Sequence, residues 1–163
     1  MKANIICDTS IWLYLGGLGQ ASLLRQLYDT VFVTETVCWE LDNGRLNRPS
    51  IFNPRDLSWV FIVQPTQQEI ANLPANRLGP GERSALAYAR THQLDLVGLD
   101  DHQAREVAQY LGLRTIGTVG ILLRAKQAGL LTAVRPFLIS LQQEGFRISR
   151  TLVDHILLKA GEM

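Results

Sequence analysis

Cysteine and histidine are scarce: the 163 residues hold two cysteines, Cys7 and Cys38, and three histidines. None falls at the paired spacings of a zinc site. Cys7 lies in an apolar run and Cys38 in a helix-like stretch, so both read as reduced core residues, not as halves of a disulfide. No apolar run reaches the roughly 18–20 residues needed to cross a bilayer. The N-terminus also lacks a signal-peptide layout, with Asp8 standing where the apolar segment would be. A cytoplasmic protein with no membrane partner is expected. Neither sign of charge dominates: 16 Lys and Arg face 15 Asp and Glu. That balance excludes a strongly basic nucleic-acid coat, although most of the basic residues are Arg, the side chain suited to bidentate phosphate contact. A Gly-x-Ser-x-Gly nucleophile elbow is missing, and Gly16-Gly17-Leu18-Gly19 lacks the Lys-Ser/Thr of a phosphate loop.

What is present is an ordinary globular composition, 47% hydrophobic and 19% charged, in a chain close to the size of one domain, so residues 1–163 are expected to share one core. Short apolar runs at Ala3–Cys7, Val31–Val33, Trp59–Val63, Leu94–Leu99 and Arg114–Ile116 read as strands. Between them lie helical patterns at Ser10–Leu15, Gln20–Tyr28, after the cap residue Thr34 to about Asp42, from Thr66, from Pro80, from Asp100-Asp101 to Tyr110, and over Val119–Gln127. Two amphipathic helices close the chain, over Thr132–Gln143 with Val134, Phe137, Leu138 and Leu141 inward, and from Ser149 with Leu152, Val153, Ile156 and Leu157 inward. Alternating strands and helices point to an α/β fold: a parallel sheet with helices on both faces and few allowed topologies.

Four acids fall where such a sheet builds a site. Asp8 and Asp100 each follow a strand directly, Glu82 sits in the first turn of a helix, and Glu40 lies on the helix after the second strand. If the first and fourth strands are neighbours, Asp8 and Asp100 face each other across the crevice where strand order reverses. Carboxylates held together repel and take up protons unless a cation neutralises them. A hard ion such as Mg²⁺ or Mn²⁺ suits them, and the chemistry it supports is phosphodiester hydrolysis. By position alone each acid also has a plainer role, as a helix cap, a dipole partner or a solvent-facing residue.

The ordered set Ile6-Cys7-Asp8-Thr9-Ser10, Val37-Cys38-Trp39-Glu40-Leu41, Gly79-Pro80-Gly81-Glu82-Arg83-Ser84-Ala85 and Leu96-Val97-Gly98-Leu99-Asp100-Asp101 resembles PIN domains. The downstream stretches Ala104-Arg105 to Leu113, Ile116-Gly117-Thr118-Val119-Gly120-Ile121-Leu122, Gly145-Phe146-Arg147-Ile148-Ser149 and Ala160-Gly161-Glu162 are similar to the DUF3368 branch. The resemblance covers nearly the whole chain and implies a three-layer fold with a five-stranded parallel sheet of order 3-2-1-4-5. It also implies a Mg²⁺-dependent ribonuclease site, as in the toxin of a toxin–antitoxin pair. Asp8, Glu40, Glu82 and Asp100 match the family's acidic quartet, as catalytic residues and metal ligands, with a hydroxyl from Thr9 or Ser10 beside the ion. The chain departs from the commoner pattern in having Glu82 where many PIN domains have Asp. Thr118-Val119-Gly120 stands where an extra acid would follow the fifth strand; Asp101 is either a substitute ligand or a helix cap.

Partners expected on this reading are an RNA substrate, a small antitoxin protein and a second copy of the chain. The last two helices would serve either protein partner, or simply pack on the sheet. Arg45, Arg48 and Arg55 with Phe52 and Trp59 describe either a basic, aromatic RNA-contacting loop or a solvated loop whose rings enter the core. His102 is a helix-start residue near Asp100. Two other readings stay open: a PIN-fold binding module that does not cleave, and a metal-dependent nuclease acting on DNA or a phosphatase.

Overall fold

Five apolar segments condense into one sheet. The computed structural model describes residues 2–45, 52–74 and 77–163, with strands β1 (Asn4–Cys7), β2 (Thr30–Thr34), β3 (Val60–Val63), β4 (Leu96–Gly98) and β5 (Thr115–Ile116). They lie in the order β3-β2-β1-β4-β5, and every pairing is parallel. This is the expected sheet order. The helices are α1 (Thr9–Gly17), α2 (Ser22–Leu27), α3 (Glu35–Arg45), α4 (Gln67–Ala71), α5 (Pro80–Thr91), α6 (His102–Tyr110), α7 (Thr118–Gln127), α8 (Arg135–Gln143) and α9 (Arg150–Lys159).

A parallel sheet needs cover on both faces, because crossover helices pack on each. The two-residue period of β1 divides its side chains accordingly. Ile5 and Cys7 join one core with Trp12, Leu24, Leu122, Leu138 and Ile156. Ile6 joins the other with Leu86, Ala89, Val97, Ala104 and Ala108. Both cysteines are free and buried, and no helix among the described residues is long and apolar enough to cross a membrane.

Side-chain capping explains several helix starts. Thr34 Oγ1 accepts from Val37 N at 3.1 Å, Thr66 Oγ1 from Glu69 N at 3.1 Å, and Ser149 Oγ from Leu152 N at 3.1 Å. Each satisfies an orphan N–H of a first turn. Pro80 occupies the opening turn of α5, where its missing N–H costs nothing.

Three local expectations change. β4 begins at Leu96, not Leu94, because Leu94 N donates to Ala89 O at 3.0 Å and belongs to the end of α5. The helix expected from Thr132 begins at Arg135, where Glu162 takes the free amides of Val134 and Arg135 at 2.7 and 3.1 Å. Leu152 on α9 is 43% exposed, while Ile156 and Leu157 are buried as expected.

Past α3, described residues from Phe52 onward pack inward. Trp12 is fully buried, and the rings of Phe52 and Trp59 lie 6.3 and 6.4 Å from it. Arg55 Nη1 pairs with Asp42 Oδ2 at 2.8 Å. The rings of Phe52 and Trp59 therefore pack against the core while each stays partly exposed. The Arg45 side chain and Arg48 lie outside the described residues.

Candidate active site

The chain runs from β1 outward to β2 and β3, then returns to place β4 and β5 on the other side of β1. β1 and β4 are thus the neighbours at which strand order reverses, and a crevice opens beyond their carboxyl ends. The pairing Cys7↔Gly98 is prolonged by Asp8 N donating to Gly98 O at 3.0 Å. This extension brings Asp8 and Asp100 to the same edge.

Both line a cleft of about 380 Å³, together with Ser10, Glu82 and Asp101. Tyr14 of α1 and Gly145, Phe146 and Arg147 from the turn between α8 and α9 complete the lining. Glu40 stands beside it on α3, reaching Thr9 of α1 and Gly81 of α5.

Each acid is held differently. Asp8 occupies the N-cap position of α1 but makes no capping hydrogen bond. It is only 5% exposed, and its Oδ1 is buried with no partner among the described residues, as is Ser10 Oγ. Burial is the main cause that pushes the Asp8 carboxyl up to about 7; the Thr9 N–H pulls it down, and Glu82, Glu40 and Asp100 push it further up. Glu40 Oε2 accepts from the Thr9 hydroxyl, and its Oε1 accepts from Gly81 N at 2.8 Å. Glu82 turns back on its own helix, Oε1 accepting from Gly79 N at 3.0 Å. Burial raises its carboxyl above the usual range, Asp101 and Glu40 add to the rise, and the Gly79 N–H opposes it.

Asp100 is gripped at both oxygens, by Thr118 N on Oδ1 and Thr118 Oγ1 on Oδ2, each at 2.7 Å. Asp101 caps α6, its Oδ2 accepting from Ala104 N at 2.9 Å, so the capping role is observed for it even as it lines the cleft. His102 is well exposed and pairs with Glu106 at 3.1 Å.

The N-termini of α1, α5, α6 and α7 all meet this group of acids. Their partial positive charge and free N–H groups offset part of the repulsion between carboxylates. Among the described residues no three His, Cys, Asp or Glu side chains stand close enough to grip a metal ion together. The donor set is nonetheless all oxygen, and Asp8 Oδ1 and Ser10 Oγ are two buried oxygens of the cleft that no donor among the described residues satisfies. That fits a hard divalent ion held by one or two carboxylates with most of its waters kept.

Sequence reasoning reaches the acids but not their holders. Thr118 is visible only as a missing acid, and Gly81 only as part of a motif. Tyr14, Phe146 and Arg147 carry no periodicity signal that would place them at the cleft.

A comparison with curated proteins gives no match. Among solved structures the fold is similar to a PilT N-terminus domain protein from the hyperthermophilic archaeon Sulfolobus solfataricus P2. The TM-score is 0.56 at 16% sequence identity, covering 75% of this chain and 92% of that one. A likeness at that identity speaks to the fold. The sequence itself matches the family described as PIN domain, DUF3368, over residues 4–162. With its sheet order and its strand-end acids, this chain belongs to the DUF3368 family of PIN domains, a nuclease fold.

Proposed function

We propose that the chain is a Mg²⁺-dependent ribonuclease that cleaves RNA phosphodiester bonds. The observation that carries this reading is Asp8: a buried carboxyl with an unpartnered oxygen at the switch point of the sheet, among Glu82, Glu40 and Asp100. Asp8 and Asp100 would hold the ion, with Glu40 and Glu82 shaping the field around it and Thr9 and Ser10 supplying hydroxyls. Mg²⁺, or Mn²⁺ in its place, would neutralise the acids, lower the pKa of a water and stabilise charge on the phosphate.

The chain's own residues do the positioning. Thr118 keeps Asp100 in one orientation, and the Thr9–Glu40–Gly81 contacts tie α1, α3 and α5 together around the cleft. Glu82 faces the cleft from a helix start with one oxygen engaged by Gly79. Burial disfavours the charged forms of Asp8 and Glu82, so a cation entering between them would relieve an existing electrostatic cost.

The biological role proposed is that of a toxin restrained by a small antitoxin protein, which rests on the family resemblance. The test is cleavage of single-stranded RNA with Mg²⁺ or Mn²⁺ by the wild type and by Asp8→Asn, with DNA of the same sequence alongside. Loss of cleavage in the variant supports the reading; equal cleavage by both proteins, or none by either with metal bound, removes it. DNA cut in preference to RNA favours the DNA nuclease. Growth arrest on induction of the wild type and not of Asp8→Asn supports the toxin role.

One observation favours a second reading, a PIN-fold binding module that does not cut. The engaged oxygens of Glu40, Glu82 and Asp100 and the lack of a convergent trio among the described residues suit an acid cluster kept for structure. RNA binding without cleavage is its expected outcome.

A further inference from the structure

A cleft walled by carboxylates repels the polyanion it is proposed to cut, and a bound ion neutralises only the scissile phosphate. The flanking phosphates need another cation. Among the described residues that line the cleft, Arg147 is the basic one. It is exposed, and no acid among the described residues pairs with it. A guanidinium presents a planar fork that matches phosphate oxygens and is free to do so here.

Its position is built rather than incidental. α8 ends in a left-handed turn at Gly145, φ +90°, which brings Phe146 N back to Leu141 O at 2.9 Å. An L side chain at position 145 would be strained in that conformation. The turn sends Phe146 onto Tyr14 of α1, with ring centroids 4.9 Å apart and planes at 90°. α1 is the helix that opens at Asp8. The edge-to-face contact therefore ties the α8–α9 turn to the helix that opens at the central acid, and Arg147, the next residue, lines the cleft with that acid.

We infer that Arg147 binds a backbone phosphate of the RNA strand next to the one held at the acids, with Phe146 and Tyr14 fixing its place. This rests on the reading of the cleft as an RNA site. The guanidinium contributes affinity and register, not chemistry.

The test is binding of a fluorescent single-stranded RNA oligonucleotide by fluorescence anisotropy, over a salt series, with Ca²⁺ in place of Mg²⁺. Wild type, Arg147→Ala, Arg147→Lys and Arg150→Ala are compared, the last an exposed arginine of α9 that does not line the cleft. Arg147→Ala is expected to weaken binding roughly fivefold and to make the plot of log K against log salt shallower by about 0.7, the contribution of one single-strand phosphate contact. Arg147→Lys keeps most of the slope, and Arg150→Ala leaves it unchanged. Matching circular dichroism melts confirm that the variants are folded.

An unchanged slope in Arg147→Ala overturns the assignment, as does an equal fall in Arg150→Ala, or no binding by the wild type. Cleavage in Mg²⁺ is scored separately on the same proteins. A wild type that binds but does not cut removes the nuclease reading while Arg147 still stands or falls on its slope.

Discussion

Thr118 holds Asp100 at both carboxylate oxygens, its N–H on Oδ1 and its hydroxyl on Oδ2, each at 2.7 Å. The residue that replaces an expected acid after β5 thus acts on another acid. Thr118 is fully buried, while Asp100 is partly exposed and lines the cleft. Thr118→Val keeps the shape and removes the hydroxyl, leaving one oxygen of Asp100 without its donor. The expected cost is about 1–3 kcal/mol of stability, read by urea denaturation, with a fall in RNA cleavage. Thr118→Ser retains the hydroxyl and is expected to recover most of both. Cleavage by the Val variant equal to wild type would show that the orientation of Asp100 does not matter.

Asp8 makes the metal-free protein sensitive to pH in a defined direction. Its carboxyl titrates near 3.8 when unfolded and about 7 when folded, chiefly because it is buried. Below the lower value the group is neutral in both states. As pH rises toward 7 the unfolded chain ionises first, so stability is lost across that window and the loss is complete above it. At about 1.4 kcal/mol per pH unit the effect is on the order of 4 kcal/mol, and the raised Glu82 acts in the same sense. In EDTA the melting temperature of the wild type is expected to fall from pH 5 to pH 7.5, and Asp8→Asn to melt higher than wild type at pH 7.5. A variant that melts lower there contradicts the buried, strained carboxyl. Mg²⁺ should raise the melting temperature of the wild type and not of Asp8→Asn, since binding to the folded state alone stabilises it.

Gly81 is required by Glu40 rather than by the backbone. A Cβ at position 81 would lie 2.5 Å from Glu40 Oε2 and 2.9 Å from Oε1. Helix propensity favours Ala over Gly by about 1 kcal/mol, so Gly81→Ala need not unfold α5. It is expected to displace the Glu40 carboxyl from Thr9 and the Gly81 N–H, reducing cleavage more than tenfold while the melting temperature stays within a few degrees. Full activity in that variant would remove Glu40 from the proposed site.

Glu162, which does not line the cleft, anchors the C-terminal helices. It takes the N–H groups of Val134 and Arg135 at 2.7 and 3.1 Å and the Lys126 ammonium at 3.2 Å. It thereby serves as the cap that Val134 cannot supply from its own side chain. Hydrogen bonds from the first turn and from a charged group hold its carboxyl below the usual range although burial opposes this. Glu162→Ala is expected to cost about 1–3 kcal/mol with RNA cleavage per folded molecule unchanged. A selective loss of activity would assign this residue a part in the site.

The elements of the sheet were legible because their signals are local: apolar runs of strand length, cap residues such as Thr34 and Ser149, and Pro80 opening α5. The order of the acids along the chain could be read as well, since Asp8 and Asp100 follow their strands directly. Where local signals compete, the reading slips, as at Leu94, whose amide is claimed by the end of α5 instead of by the sheet.

The sequence by itself determined which residue types and elements exist, and through the ordered acid motifs the family. Tertiary structure alone decided what each acid touches. Glu40 finds Gly81 across 41 positions and Asp100 finds Thr118 across 18. Tyr14 meets Phe146 only because the α8–α9 turn folds back over α1. Asp8 at an N-cap position is not spent on capping, whereas Asp101 is. The reason is physical: strand and helix preferences act between near neighbours, while burial, charge and hydrogen-bond partnership belong to groups brought together by packing.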